Sequence, residues 1–238
     1  TRIEFSCVSF VVEHHFENTN HLTVPMFYSC LRLVSPCAML AGWLCIGCDV
    51  LYAQGDVNLD EGVVSSNMVA EAFIPNSDML TERVNDIASW YDEVEEVTYL
   101  LVGCENGTAL LRLLPGARPI FMGKMPTQTV SSIWRDIKVV HDHAYVVSEA
   151  PVHGMQVINL DALRSWSPLD GPATWMPDTV IAAPGTAHNV VAFEEASKII
   201  QVGTSLFDGG AAIFDVSNPA VPHLVGGVSE WGSIHDAQ

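Results

Sequence analysis

The chain has 238 residues, 49% hydrophobic and 16% charged. That suffices for one large domain or two small ones and lies far from a disordered composition. Its 28 acidic and 10 basic residues give a net charge of −18, which repels polyphosphate and anionic headgroups and excludes nucleic acid as an expected partner. The same charge suits solubility or affinity for divalent cations and does not choose between them.

The chain opens on Thr1, and residues 1–25 read as an upstream segment that need not belong to the mature protein. Cys7, Cys30, Cys37, Cys45 and Cys48 crowd the beginning, and only Cys104 follows. A disulfide framework for the body is therefore not expected, unless Cys104 pairs with the N-terminal part or with residues beyond the fragment. "CAMLAGWLCIGC" (37–48) is apolar, follows Arg32 and precedes "DVLYAQG". Residues 26–53 thus read as a signal peptide-like segment starting at Met26, with cleavage after Ala53. The segment is too short to span a bilayer comfortably. A buried N-terminal helix is the structural alternative. Cys45 and Cys48 have redox or half-zinc-site spacing, but their flanks are apolar and no second pair follows. Residues 54–66 form a polar linker.

From residue 67 onward short apolar runs alternate with Gly, Pro and Asn, and no helix-period stretch stands out. The runs are "TYLLVG" (98–103), "TALLRL" (108–113), "DIKVV" (136–140), "HAYVVS" (143–148), "MQVINL" (155–160), "NVVAF" (189–193), "KIIQVG" (198–203) and "AAIFDV" (211–216). Asn106-Gly107 predicts a hairpin between the first two, because both positions tolerate positive φ. His141-Asp142 marks another tight turn.

Superposed, these runs fall into units. Each opens on a polar pair, passes through strands ending in Val-Gly or Val-Ser, and closes on a Pro-containing connection. The pairs are Asn85-Asp86, Arg135-Asp136, His188-Asn189 and His235-Asp236. A period of about 40–50 residues with three or four strands is that of a β-propeller blade. The expected fold for residues 67–238 is therefore all-β: a β-propeller-like repeat of four-stranded blades, incomplete in this fragment. A β-sandwich would explain the strands but not the recurring pairs.

Alternation on an innermost strand sends one member of each pair toward a central channel and its neighbour toward a loop or the next blade. Two roles follow. The pairs can tie blades together through buried hydrogen bonds, or Asp86, Arg135, Asp136, His188, Asn189, His235 and Asp236 can form a rim that binds a polar ligand or a divalent cation. No catalytic residue is assigned. Ser131-Ser132 has no nucleophile elbow around it, and "DGGAA" (208–212) lacks the helix a phosphate loop needs. His141, Asp142, His143 and His153 are metal-ligand types, but their spacing reads as solvated turn residues and no metal set is assigned. Trp134 reads as a packed aromatic facing away from Arg135. Asn106-Gly107-Thr108 is an N-glycosylation acceptor on an expected exposed tip.

"SSIWRDIKV", "HAYVVSEA", "HGMQVINLDALR", "GTAHNVV", "GGAAIFDVSNPAVPHLVGG" and "SIHDAQ", in this order, resemble the choice-of-anchor B family of secreted proteins, built on LVIVD-type repeats. The resemblance covers roughly residues 67–238. It implies an extracellular or cell-surface protein with a β-propeller-like body and a variable C-terminal anchor, and it brings no settled activity. Two positions depart from the family's pattern. Ile87-Ala88-Ser89-Trp90 stands where Trp-Gly-Trp would follow the first pair, and no cysteine lies near Asp208-Gly209-Gly210.

The expected function is a secreted or surface-anchored binding module for an extracellular protein or glycan, with no resident cofactor. The alternative is an extracellular metal-assisted hydrolase or lyase using the propeller channel.

Overall fold

The computed structural model describes residues 72–237 together with one N-terminal strand, β1 (Cys7–Ser9), which pairs antiparallel with β2 (Phe73–Pro75). The signal peptide-like segment 26–53 and the linker 54–66 lie outside the described residues. Cys104 is a free, buried thiol.

Three antiparallel meanders follow one another. The first runs β3 (Val84–Asp92), β4 (Val97–Cys104), β5 (Gly107–Leu113) and β6 (Ile120–Pro126). A two-residue strand, β10 (Ala173–Thr174), joins its outer edge parallel to β6. The second sheet is β7 (Arg135–Val140), β8 (His143–Ser148), β9 (Met155–Asn159) and β11 (Thr179–Ile181). The third is β12 (Asn189–Phe193), β13 (Lys198–Val202), β14 (Ala211–Asp215) and β15 (His223–Val228). Among the described residues the only helices are 3-10 turns of three to six residues. The described residues are all-β, in several antiparallel sheets.

The burial of each strand follows its place. Every residue of β8 is buried, as are seven of the eight in β4, which is why these strands read as continuous apolar runs rather than alternating ones. One side of the second sheet, through Ile137, Ala144, Val146 and Ile158, packs on Trp90, Tyr99, Leu101, Leu110 and Met122 of the first. Its other side, through Val140, Tyr145, Val147, Met155 and Val157, packs on Val190, Ile199, Ala212 and Phe214 of the third. Each such side chain, fully buried, contributes about 1.5–3 kcal/mol. Ile74 and Met79 cover the far side of the first sheet over Leu100, Val102 and Leu111.

Polar ties reinforce the sheet contacts at the end of β3. The buried Asp92 carboxylate takes both Nε and Nη2 of Arg164 at 2.6 and 2.7 Å, and this fork holds its carboxyl below the usual carboxylate range. Arg164 also lies over the Trp90 ring, and the Trp90 indole N–H donates to Asp142.

Each of the eight predicted runs falls on an observed strand and His141-Asp142 forms the β7–β8 turn, whereas the turn between β4 and β5 is Glu105-Asn106 and Gly107 is already the first residue of β5. Besides β2, β3, β6, β10 and β15, which fall outside those eight runs, strand β11 has no counterpart in the sequence reading. It holds three residues and follows an excursion from 160 to 178 carrying two 3-10 turns, too short a run for alternation to register.

Candidate functional site

Three of the four polar pairs sit at the start of the first strand of a sheet, and His235-Asp236 lies in the coil beyond β15. In β3 the register slips between Val84 and Asp86, so Asn85 is a bulge residue. A bulge re-aims side chains, and here it lets two consecutive residues reach the second sheet. Asn85 Oδ1 accepts the Arg135 N–H at 2.7 Å, and Asp86 Oδ2 accepts the Ile137 N–H at 2.8 Å. Opposite Asp86 stands Gly103, where an added Cβ would lie 3.1 Å from the Arg135 carbonyl oxygen. The glycine permits that close approach.

The next pair repeats the contact one sheet further on. Asp136 Oδ2 accepts the Val190 N–H at 2.7 Å, while Oδ1 takes its neighbour Ile137 N–H at 3.0 Å and the Lys138 ammonium at 2.8 Å. At the third sheet an amide replaces the acid. Asn189 Nδ2 donates to the His235 carbonyl at 3.3 Å and to Asp236 Oδ1 at 3.5 Å. Asp86 and Asp136 therefore serve as staples, each anchoring the first backbone amide after the following pair.

These residues line one cleft of about 270 Å³, walled by Asn85, Asp86, Asp136, Lys138, Asn189 and Asp236, with Arg135, Val190, Val191 and Ala237 completing it. The Asp86 and Asp136 carboxyls converge on the same Ile137 N–H, with only Lys138 to offset two negative charges. Burial, and then the adjacent Asp136 carboxyl, raise the Asp86 pKa from 3.8 to about 7. At neutral pH Asp86 is thus close to half-protonated, in a cleft that also holds one ammonium and two carboxamides. The cleft can donate and accept hydrogen bonds together. Because the Asp136 oxygens are taken by backbone N–H groups and Lys138, that carboxylate is not poised as a general base.

Arg135, expected on the rim, is instead 1% exposed. Its Nε donates to the Cys104 carbonyl at 3.0 Å, Nη1 to His153 Nε2 at 2.9 Å and Nη2 to Thr127 Oγ1 at 2.8 Å. His153 Nδ1 faces the Gly154 carbonyl at 3.0 Å, which fixes the proton on Nδ1 and leaves Nε2 as the acceptor. Burial, with help from Arg135, lowers the His153 pKa from 6.5 to about 4, and burial brings Arg135 down to about 10. The guanidinium is buried among neutral acceptors, knitting together the β4–β5 turn and the loops after β6 and β8.

The expectation that His141, His143 and His153 are solvated turn residues is thereby corrected. His153 and His143 are buried, and only His141 is exposed. Among the described residues no group of three or more His, Cys, Asp or Glu side chains is arranged to hold a metal ion.

Trp134 also departs from expectation. It is 45% exposed and points away from the buried Arg135, so no cation–π contact forms. Its ring stands 5.8 Å from that of His188, which lies 4.1 Å from His235. Glu149 Oε1 holds His188 Nδ1 at 2.6 Å. His188 and His235 thus belong to a ring row beside the cleft rather than to its lining. Asn106 lies apart on the β4–β5 turn. Its carboxamide is half-buried, donating to the Leu80 carbonyl at 2.9 Å and accepting from Lys124 at 2.6 Å, so the expected exposed tip is not found.

Sequence reasoning missed Lys138, Thr127, Glu149 and the buried role of His153. Lys138 alone carried a signal, since two residues after Asp136 on a strand it shares that residue's side. No protein-family model matches the chain, and no curated protein or solved structure matches it.

Proposed function

We propose that the chain is a β-propeller-like binding module, secreted or displayed at the cell surface, that takes an extracellular protein or glycan and performs no catalysis. In this reading each meander is a blade and each pair stands where an inner strand begins. The order of motifs resembling the choice-of-anchor B proteins supports it, as does the acidic, nucleic-acid-repelling charge. One observation carries the proposal: pairs from three successive sheets, with Asp236, converge on a single cleft of about 270 Å³ while their carboxylates are largely spent on backbone amides. A cleft of mixed donors and acceptors suits recognition of polar groups. The satisfied carboxylates speak against the hydrolase or lyase alternative.

The test is a binding screen of extracellular domains and neutral oligosaccharides against the purified chain, repeated with Lys138→Ala and Asp236→Ala. A hit weakened at least about tenfold by both variants, at unchanged Tm, supports the cleft. Hits indifferent to both variants refute it. Metal-dependent cleavage of a bound ligand, lost in Asp136→Asn, would refute the non-catalytic reading.

A further inference from the structure

We propose that Trp134 and Glu149 form an exposed site for an arginine side chain of a partner protein, with Val130, Ile133 and Val152 gripping the apolar residues beside it. The site is built on two bonded loops. Residues 127–134 lead into β7, and residues 149–154 join β8 to β9. Thr129 Oγ1 donates to the Pro151 carbonyl at 2.9 Å at one end, and the Glu149 N–H donates to the Trp134 carbonyl at 3.3 Å at the other. Together they present one surface.

Its apolar side chains face water. Val130 is 60%, Ile133 40%, Trp134 45% and Val152 75% exposed. Val152 also adopts φ 57°, a left-handed conformation that β-branched residues rarely take. Glycine would suit that backbone, so the valine stands at the turn under strain. Grouped apolar side chains in open solvent mark a contact surface.

The chemistry beside them selects the partner. Glu149 is tied to Trp134 through His188, whose Nδ1 lies 2.6 Å from Glu149 Oε1 and whose ring stands 5.8 Å from the indole. An indole next to a carboxylate suits a guanidinium, which stacks on the one and pairs with the other. The chain completes the same arrangement internally. Arg164 lies 5.5 Å from the centroid of the Trp90 ring and forks onto Asp92. At Trp134 and Glu149 the ring and the carboxylate are in place, and among the described residues no Lys or Arg joins them.

The chain has little cationic side chain to seat there. Arg112, Arg118, Lys138, Arg164 and Lys198 sit in ion pairs, while Lys124 and Arg135 are engaged by neutral acceptors. Arg83 is the remaining described cation, and residues 1–71 contribute only Arg2 and Arg32. A second copy brings a net charge of −18 and is repelled, as an anionic membrane is. A basic, apolar segment of another protein is the occupant that fits. The inference stands on these two loops and does not require the cleft to bind a ligand.

Calorimetric titration of the whole chain with an acetylated, amidated peptide alternating valine and arginine tests it. The comparison is the same peptide with citrulline, which keeps the shape and lacks the charge. The arginine peptide should bind at least about tenfold tighter. Trp134→Ala should weaken it about tenfold, and Glu149→Gln, which leaves the loops intact should the first variant not fold, about threefold. Lys138→Ala, in the cleft, should bind like the wild type. Equal affinity for the two peptides overturns the proposal, as does an arginine peptide that fails to bind at millimolar concentration or that binds Trp134→Ala or Glu149→Gln as well as the wild type. Loss of binding in Lys138→Ala overturns it too, since the peptide would then occupy the cleft.

Discussion

Arg135 and Asp136 are adjacent in sequence and belong to regions that work in opposite ways. The Arg135–His153 cluster is a buried cation surrounded by neutral acceptors, and it joins the loops of two sheets from inside. The Asp86–Asp136 pair is a partly solvated pair of carboxyls, and it joins three sheets by gripping backbone amides along the cleft. In the first region burial suppresses a proton on His153; in the second, burial and a like charge retain one on Asp86. Proximity in the chain therefore says little about shared purpose. On a strand, consecutive side chains enter different environments, and each environment sets its own electrostatics.

The largest expected effect is at the interior cluster. Arg135→Met leaves the Cys104 carbonyl, His153 Nε2 and Thr127 Oγ1 without their donor. Buried groups left unsatisfied cost about 1–3 kcal/mol each, so urea denaturation should show a loss of about 3 kcal/mol or more, enough to unfold a marginal domain. Arg135→Lys should recover only part, since one ammonium cannot reach three acceptors held by a planar fork. Equal stability of wild type and Arg135→Met would remove the cluster from any structural account.

At the cleft the effect is smaller because two of the three partners of Asp136 keep another acceptor, the Ile137 N–H in Asp86 and the Lys138 ammonium in the Ile137 carbonyl. Asp136→Ala strands the buried Val190 N–H and should cost about 1–3 kcal/mol. Asp136→Asn keeps one acceptor oxygen and should cost less. Amide hydrogen exchange locates the damage: Val190 should exchange faster in Asp136→Ala, whereas the amides of β4 should not. Unchanged protection at Val190 would show that the staple carries no load.

The two regions differ in legibility as well. Eight of the strands, the His141-Asp142 turn and the positions of the pairs could be read from the chain, because apolar runs are local signals, while the β4–β5 turn fell one residue earlier than Asn106-Gly107 suggested. The carboxylate staples could be anticipated because Asp86 and Asp136 recur at matching places. The Arg135 cluster could not. Its partners Thr127, His153 and Cys104 come from three separate loops and strand ends, and nothing local announces that His153 will be buried. The ring row was hidden for the same reason, since Trp134, His188 and His235 meet only once the sheets are stacked.

The smallest effect is the one that separates the regions by sign. Asp86 titrates near 3.8 when unfolded and at about 7 when folded, so the native state holds the extra proton. The stability this provides is complete below about 3.8 and is lost as pH rises through about 7. His153 runs the other way, from 6.5 down to about 4. Its contribution is complete above about 6.5 and is lost as pH falls through about 4. The windows overlap, and in the wild type the slopes largely cancel. Asp86→Asn, whose carboxamide can still accept the Ile137 N–H and donate toward Asp136, should leave a stability that rises between pH 4 and 6.5. His153→Gln keeps an acceptor for Arg135 and should leave one that falls from pH 4 toward 7. Each slope should be some fraction of about 1.4 kcal/mol per pH unit, the limit for one proton, with the Asp86 slope reduced further by solvent. Urea midpoints measured across this range decide the matter. If both variants shift with pH in the same direction, the opposition between interior and cleft is wrong.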